Sequence, residues 1–421
     1  MSGTLYDLPD DVLIYNITFL SVPDIIHLRQ TCKRFDALTR LPIVWTNAFK
    51  LEILANGYPF SPDYTDLEYR ARHAHRLASR WLADSPLTPK REINFLTGSS
   101  ILEIKFIPGQ QNRWLLTISA GTTSVLTIWD ITRQQTCSEW FRDGAAINAF
   151  ELNTDPESEA SMAVFFGRLQ RLVLLRLDND GNFHEIHSIN TDLHLVNLTG
   201  DLMALSDDRS KTVINNWKTG AHANLDDLSN SRPNYCFQVV FAPCTILVVR
   251  MFSVHLYAIP PLLGETHTPI ATHSFGWVNN ISVPSSTPNN AFSILTRFRA
   301  SGTKFVELYT IPSTLSTSPP CTFPLTLITK ISSHTHSSLY YCADLVLGKC
   351  ATAIWARPRD DDDNRAVLMT AVFPGPLNPT GQVRVHEVPN TFDNWASLDY
   401  DEERGRIALG SVYGKIRILY L

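Results

Sequence analysis

The chain has 421 residues, an apolar fraction of 44% with 10% aromatics, and a formal net charge of −5. That composition suffices for a large core and excludes wholesale disorder, while the acidic balance gives no electrostatic case for sequence-independent binding to nucleic acid or anionic membrane. The seven cysteines (Cys32, Cys137, Cys236, Cys244, Cys321, Cys342 and Cys350) are scattered, odd in number and form no C-x-x-C pair, which argues against a zinc site or disulfide framework and for a reducing compartment.

The opening residues lack a basic segment followed by an apolar one, so no signal peptide is expected. No apolar run approaches the roughly 20 residues of a membrane span. The expectation is a soluble protein, cytoplasmic and/or nuclear. From residue 8 to about 84 the apolar spacing is helical; from about 91 onward it is that of short strands between turns.

The first helix opens at Leu8-Pro9-Asp10-Asp11, with proline suited to the first turn and the aspartates complementing the helix dipole. Leu13, Ile17 and Leu20 follow at i, i+4 and i+7 as one apolar stripe. A second start at Ser21-Val22-Pro23-Asp24 pairs a capping serine with an acid three residues on. From it Ile25, Leu28, Cys32 and Phe35 form a second stripe, continued by Leu38, Leu41 and Trp45. Three short helices would bury these stripes against one another. A bundle of some 40 residues is marginal alone and needs a partner or a neighbour.

Leu8-Pro9-Asp10-Asp11-Val12-Leu13, Ile17, Phe19-Leu20, Leu28, Thr31-Cys32-Lys33-Arg34-Phe35 and Trp45 together resemble the F-box. Asp11 stands where that family usually has glutamate, and Thr31 where it usually has valine. The resemblance covers about a tenth of the chain, and its order and spacing are specific.

Residues 61–84 read as a connecting helix. Thr65-Asp66-Leu67-Glu68 looks like a capping box, Leu67, Ala71, Ala74, Ala78 and Trp81 keep one face, and Pro86 and Pro89 end it. Its basic residues (Arg70, Arg72, His73, His75, Arg76 and Arg80) read as a solvated linker face rather than a nucleic-acid helix.

The remainder carries a weak repeat. Val125–Ile131 is the clearest copy, followed by Arg171–Leu177, Thr212–Gly220, Val254–Pro260, Val306–Pro312, Ala366–Phe373 and Lys415–Leu421. Spacings of roughly 40 to 60 residues suit four-stranded propeller blades. Seven copies suggest seven blades. The last has only three strands from Trp395, and Glu92–Leu96 is expected to supply the missing outer strand and remove an exposed edge. Trp129-Asp130 and Lys218-Thr219-Gly220 make these strands resemble degenerate WD repeats. The fold class is therefore α+β and multidomain: an F-box of three helices at 5–50, a linker with a helix at 51–90, and an all-β propeller at 91–421. A non-WD propeller or a pair of β-sandwiches stays open.

No G-x-G-x-x-G, Walker loop or G-x-S-x-G elbow occurs. His184, His187 and His194, or His334 and His336 beside Ser337 and Ser338, lack a convergent carboxylate or thiolate and read as ordinary histidines. Asp360–Asp363 lacks the interleaved glycine and distal glutamate of a calcium loop, and Pro312–Pro320 reads as an inter-strand loop. No catalytic residue, cofactor or metal ligand is assigned.

The F-box resemblance implies an adaptor that performs no covalent chemistry itself. Leu8, Pro9, Val12, Leu13, Ile17, Leu20, Leu28, Cys32 and Trp45 are the candidate contacts to a Skp-type linker protein, and through it to a cullin and RING subunit. Some of them must instead hold the helices together, and sequence does not sort them. The propeller would select a protein target of unstated identity. The alternatives are a non-ligase assembly with the Skp-type protein, or a propeller enzyme or ligand binder. Arg168, Arg171, Arg209, Arg250, Arg297 and Arg357 are the arginines whose grouping on one face would matter to a phosphorylated target.

Overall fold

The structure is a computed structural model. It describes residues 8–54, 66–109, 113–207, 209–226, 233–274, 276–284, 292–300, 303–311, 325–333, 344–358, 366–375, 377–378, 381–389 and 394–421. Thr65, Cys321, Cys342, the histidines at 334 and 336, Asp360–Asp363 and the loop Pro312–Pro320 lie outside the described residues.

Helices α1 (Asp10–Ile17), α2 (Val22–Arg29), α3 (Lys33–Thr39) and α4 (Pro42–Ala48) open the chain, followed by a π-helical stretch, Phe49–Leu54. The third apolar stretch forms two helices because Pro42 disfavours helical geometry at Leu41, which is extended at φ −65° and ψ 135°. Ser21 caps α2 by accepting from the Asp24 amide, as its spacing predicts. Leu13, Ile17, Ile25, Phe35, Val44 and Trp45 interdigitate in one core.

Helix α5 (Leu67–Trp81) joins the two parts of the molecule. Its N-terminal Ala71 and Ala74 complete the helical core, whereas Leu77, Ala78 and Trp81 enter a core built from blades 6 and 7 of the ring. It is thus a strut with its apolar face buried at both ends. Thr65, the cap expected at its start, lies outside the described residues; Asp66 sits in the left-handed region at φ 58° with no side-chain cap, and Glu68 binds Arg29.

Seven antiparallel sheets follow: blade 1 (101–141), blade 2 (149–190), blade 3 (194–225), blade 4 (236–274), blade 5 (278–333), blade 6 (345–388) and blade 7 (395–420). All seven repeat copies found in the sequence are the third strands of these blades. Blade 7 is completed by Arg91–Leu96, which pairs antiparallel with Lys415–Tyr420 from Arg91↔Tyr420 to Leu96↔Lys415. Closure by this early strand hides the edge that a three-stranded blade would expose. Blade 3 gains a fifth strand, Thr266–His267, from the third-to-fourth connection of blade 4.

First strands of successive blades pack against one another around the axis, so they are innermost. A recurrent signature lies there: the register slips by one residue near the start of the first strand in blades 1, 3, 4, 5 and 7, at Ile101/Glu103, Leu195/Asn197, Cys236/Gln238, Val278/Asn280 and Trp395/Ser397. Such bulges re-aim side chains. Several polar groups at or near them clip the neighbouring blade. Gln238 exchanges hydrogen bonds with Val283, donating to its carbonyl at 2.8 Å and accepting from its amide at 2.9 Å. Asp344 accepts from the Leu398 amide at 2.8 Å, and Asp399 from the Phe106 amide at 2.7 Å. The Trp-Asp pair of blade 1 is likewise structural. Trp129 donates to Thr117 at 2.9 Å, while buried Asp130 accepts from the Thr132 and Arg133 amides and pairs with Arg113.

Candidate partner interface

The helical module sorts the nine candidate contacts by burial. Leu13, Ile17 and Trp45 are core residues, and Leu20, Leu28 and Cys32 are half-buried against the same core. Cys32 caps α3, its sulfur 3.5 Å from the Phe35 amide. Leu8, Pro9 and Val12 are exposed. In the set Leu13, Ile17 and Leu20, the first two are turned into the core and Leu20 is half-buried against it.

The opposite face of α1 is apolar too. Tyr15 is 65% exposed and Phe19 70%, their rings edge to face at 5.2 Å. Leu8, Val12, Tyr15 and Phe19 follow one another at i, i+4, i+7 and i+11, a second stripe on the outer side. The candidate contacts read from the sequence include Leu8 and Val12 of this outer stripe, but not Tyr15 or Phe19. Leu41 and Ile43, at the start of α4, are exposed as well. Tyr15 near the end of α1 and Phe19 in the turn just beyond it thus form an exposed aromatic pair, the kind of apolar patch that commonly marks interaction sites.

The module holds this face in place. Arg34, from the Lys33-Arg34-Phe35 segment, donates to the Leu8 carbonyl and the Asp10 carboxylate, both at 2.6 Å, fixing the entry to α1. Arg29 binds both carboxylate oxygens of Glu68, at 2.7 and 3.0 Å, and stands over the Trp45 ring at 5.6 Å. Trp45 donates to the Thr39 carbonyl. The Arg29 contact holds the Glu68 carboxyl below its ordinary pKa against the opposing effect of burial. Arg72 adds a second cation at 3.1 Å.

At the other end of α5, Trp81 lies edge-on to Tyr400 at 6.0 Å. Leu77 rests on Gly405, where a Cβ would stand 2.6 Å from a Leu77 methyl and where φ is +61°. Arg70 pairs with Glu403 at 2.9 Å. Beside it, half-buried Glu402 accepts from the Cys350 amide, its carboxyl pushed up by desolvation. Glu402, Glu403 and Gly405 belong to the turn between the first and second strands of blade 7. The helical module therefore hangs from the face that carries the first-to-second turns. The fourth-to-first and second-to-third turns open on the other face.

The six arginines reach that other face, but they do not form one cluster. Arg250 is fully buried and clamps blade 3, donating to the Asn234 and Ser210 carbonyls and to Thr212. Arg297 is buried and donates to the Ala356 carbonyl. Arg171 bonds Ser188, and Arg357 is half-buried. Only Arg168 and Arg209 of the six are exposed. His184, His187 and His194 separate: His184 pairs with Asp178 at 3.0 Å, His187 lies near Trp217, and His194 lies edge-on to Phe165. Inside the channel, Lys105 stands 3.3 Å from Glu103 and 3.9 Å from Asp399, with Glu151 and Asp344 within its field. Burial raises the Glu151 carboxyl to about 8. No described helix is long and apolar enough to cross a membrane.

Comparison with known proteins agrees with this division. The family model for F-box-like domains matches residues 5–50. The ring resembles the β-propeller domain of Myceliophteria thermophila Cps50 (Swd1), with a TM-score of 0.55 and 11% identity over 79% of this chain and 100% of that one. It is one of 931 solved chains that match, so the likeness establishes the fold and carries no function. Curated proteins contain no match.

Proposed function

We propose that this chain is the substrate-recognition adaptor of an SCF-type cullin–RING ubiquitin ligase, acting in the cytoplasm, the nucleus or both. The observation that carries the reading is the outward apolar stripe of Leu8, Val12, Tyr15 and Phe19 on a module that matches the F-box-like family. A Skp-type linker protein would cover that stripe and bring cullin and RING subunit with it. Central aromatic anchors of this kind usually dominate an interface, at about 2 kcal/mol or more each when truncated.

The adaptor needs no covalent chemistry. It raises the effective concentration of a target lysine near the ubiquitin donor. That task favours a fixed distance between the two docking surfaces, and α5, packed into both cores, is built to hold one.

The test is a pull-down of the full chain and a Tyr15→Asp, Phe19→Asp variant, probed for the Skp-type protein and for cullin. Both bound by the wild type and lost in the variant is the expected result. The Skp-type protein without cullin would favour a non-ligase assembly. Neither bound by the intact chain would sink the reading and return a ligand-binding or enzymatic propeller to first place.

A further inference from the structure

Two aromatic residues occupy the same repeat position in consecutive blades. Tyr235 immediately precedes the first strand of blade 4, and Trp277 that of blade 5; they are 40% and 63% exposed. The equivalent residues of blades 1, 2, 3, 6 and 7 are Ser100, Asn148, Leu193, Asp344 and Asn394. Because first strands are innermost, both rings stand at the channel mouth, on the face opposite α5.

The ground between them is built. Met251 and Phe252, half-buried in the second-to-third turn of blade 4, are tied to both sides. The Met251 amide donates to the Tyr235 carbonyl at 2.8 Å, and the Val278 amide to the Met251 carbonyl at 3.1 Å. The Phe252 amide donates to Asn234 Oδ1 at 3.0 Å. The Asn234 amide in turn reaches the Arg209 carbonyl at 2.7 Å, and buried Arg250 locks Asn234 to Ser210 and Thr212 from beneath. The backbones that carry Tyr235, Phe252 and Trp277 are therefore tied into one arc by these bonds, which lowers the ordering cost of binding there.

Charge is distributed unevenly around this arc. On the blade 3 side stand Arg209 and Lys211, both exposed, with Arg168 of blade 2 beyond them and Asp192 interrupting the series. Asp207, two residues before Arg209, accepts from the Arg209 and Lys211 amides at 3.0 and 2.9 Å. On the channel side, Glu103, Glu151, Asp344 and Asp399 outnumber Lys105. A segment lying on the arc meets the Arg209 and Lys211 cations outward, and inward a channel in which burial holds the Glu151 carboxyl largely protonated.

We propose that the arc docks an extended acidic segment of a target protein, with one large apolar side chain on Tyr235, Phe252 and Trp277 and its carboxylates turned outward to Arg209 and Lys211. Its purpose rests on the adaptor reading above; its geometry does not. Complementary charge would set orientation and encounter rate, and the aromatic contact the affinity.

The test uses the purified full chain on an array of synthetic peptides, each carrying one Leu, Phe or Trp flanked by acidic, basic, neutral or phosphoserine residues. Acidic flanks should be selected over neutral and basic ones, with binding that weakens as salt rises. Trp277→Ala and, independently, Arg209→Glu should each weaken it by about tenfold or more while leaving the melting temperature unchanged. Selection of basic flanks, of phosphoserine peptides alone, or of no peptide would overturn the proposal. The same preparations are tested for the Skp-type protein. Its retention beside failed peptide selection removes this surface alone, whereas its loss from the intact chain removes the adaptor reading.

Discussion

The guanidinium of Arg29 in α2 grips the carboxylate of Glu68 in α5 through two hydrogen bonds, 2.7 and 3.0 Å long. Arg29 also donates to the Thr39 carbonyl at 2.8 Å. One side chain thus ties three helices together and welds the helical module to the strut that carries it. A planar guanidinium can make these contacts at once and a lysine cannot. With side chains 14% and 28% exposed, the pair lies between a surface ion pair and a fully buried one. Arg29→Lys should cost about 1–2 kcal/mol, read by chemical denaturation, and Arg29→Ala more. Equal stability of wild type and both variants would deny the pair this role.

Trp81 is the anchor at the other end of the strut. Trp81→Ala removes a fully buried side chain from the core shared with blades 6 and 7 and should cost about 3–5 kcal/mol. Wild type should melt in a single transition, because its two parts share α5. The variant should melt in two, the helical module first. A single transition in both, followed calorimetrically, would mean that the helix contributes little to coupling.

Ring closure depends on Arg91–Leu96. Phe95 is buried 5.4 Å from the Trp129 ring, so Phe95→Ala should cost about 3–4 kcal/mol. It should also free the edge of Lys415–Tyr420, with concentration-dependent aggregation as the consequence. Light scattering on warming checks this; a variant that stays as monodisperse as wild type would contradict it.

The channel should make stability depend on pH. Glu151 is raised from 4.5 to about 8, chiefly by burial, so the folded state binds its proton more tightly than the unfolded state. The stability this contributes is complete below about pH 4.5 and lost as pH rises through about 8. Glu151→Gln should therefore raise the melting temperature relative to wild type by a few degrees, roughly, at pH 9, and by much less at pH 5. Parallel curves for the two proteins would contradict the assignment.

The two faces of α1 should respond differently to the same chemistry. Leu13→Asp with Ile17→Asp puts two charges into the core and should unfold the module, abolishing any partner binding as a secondary effect. Tyr15→Asp with Phe19→Asp alters only exposed positions and should abolish binding with circular dichroism unchanged. Loss of helical signal in the second variant would show that these aromatics serve folding.

Much was legible in the sequence because it was written in short-range patterns. The stripe of Leu13, Ile17 and Leu20, the Ser21 cap, the seven third strands, and Glu92–Leu96 as the missing strand of blade 7 each follow from periodicity or from a count of strands that must pair. The failures were of two kinds. Residues 65–68 have the spelling of a capping box, but no local pattern reveals that Glu68 binds Arg29, 39 positions away. And α1 carries two apolar stripes of equal period, so spacing alone could not say which faces inward.

What the sequence determined by itself, then, was the set of elements and their order, since backbone sterics and hydrophobic period act within a few residues. What only the tertiary structure decided was exposure: that Leu13 and Ile17 are core while Tyr15 and Phe19 are surface, that Arg250 is a clamp while Arg209 is free to meet solvent, and that Tyr235 and Trp277, 42 residues apart in the chain, share one rim. Burial is fixed by which elements pack together, and the contacts that choose this packing join residues far apart in sequence.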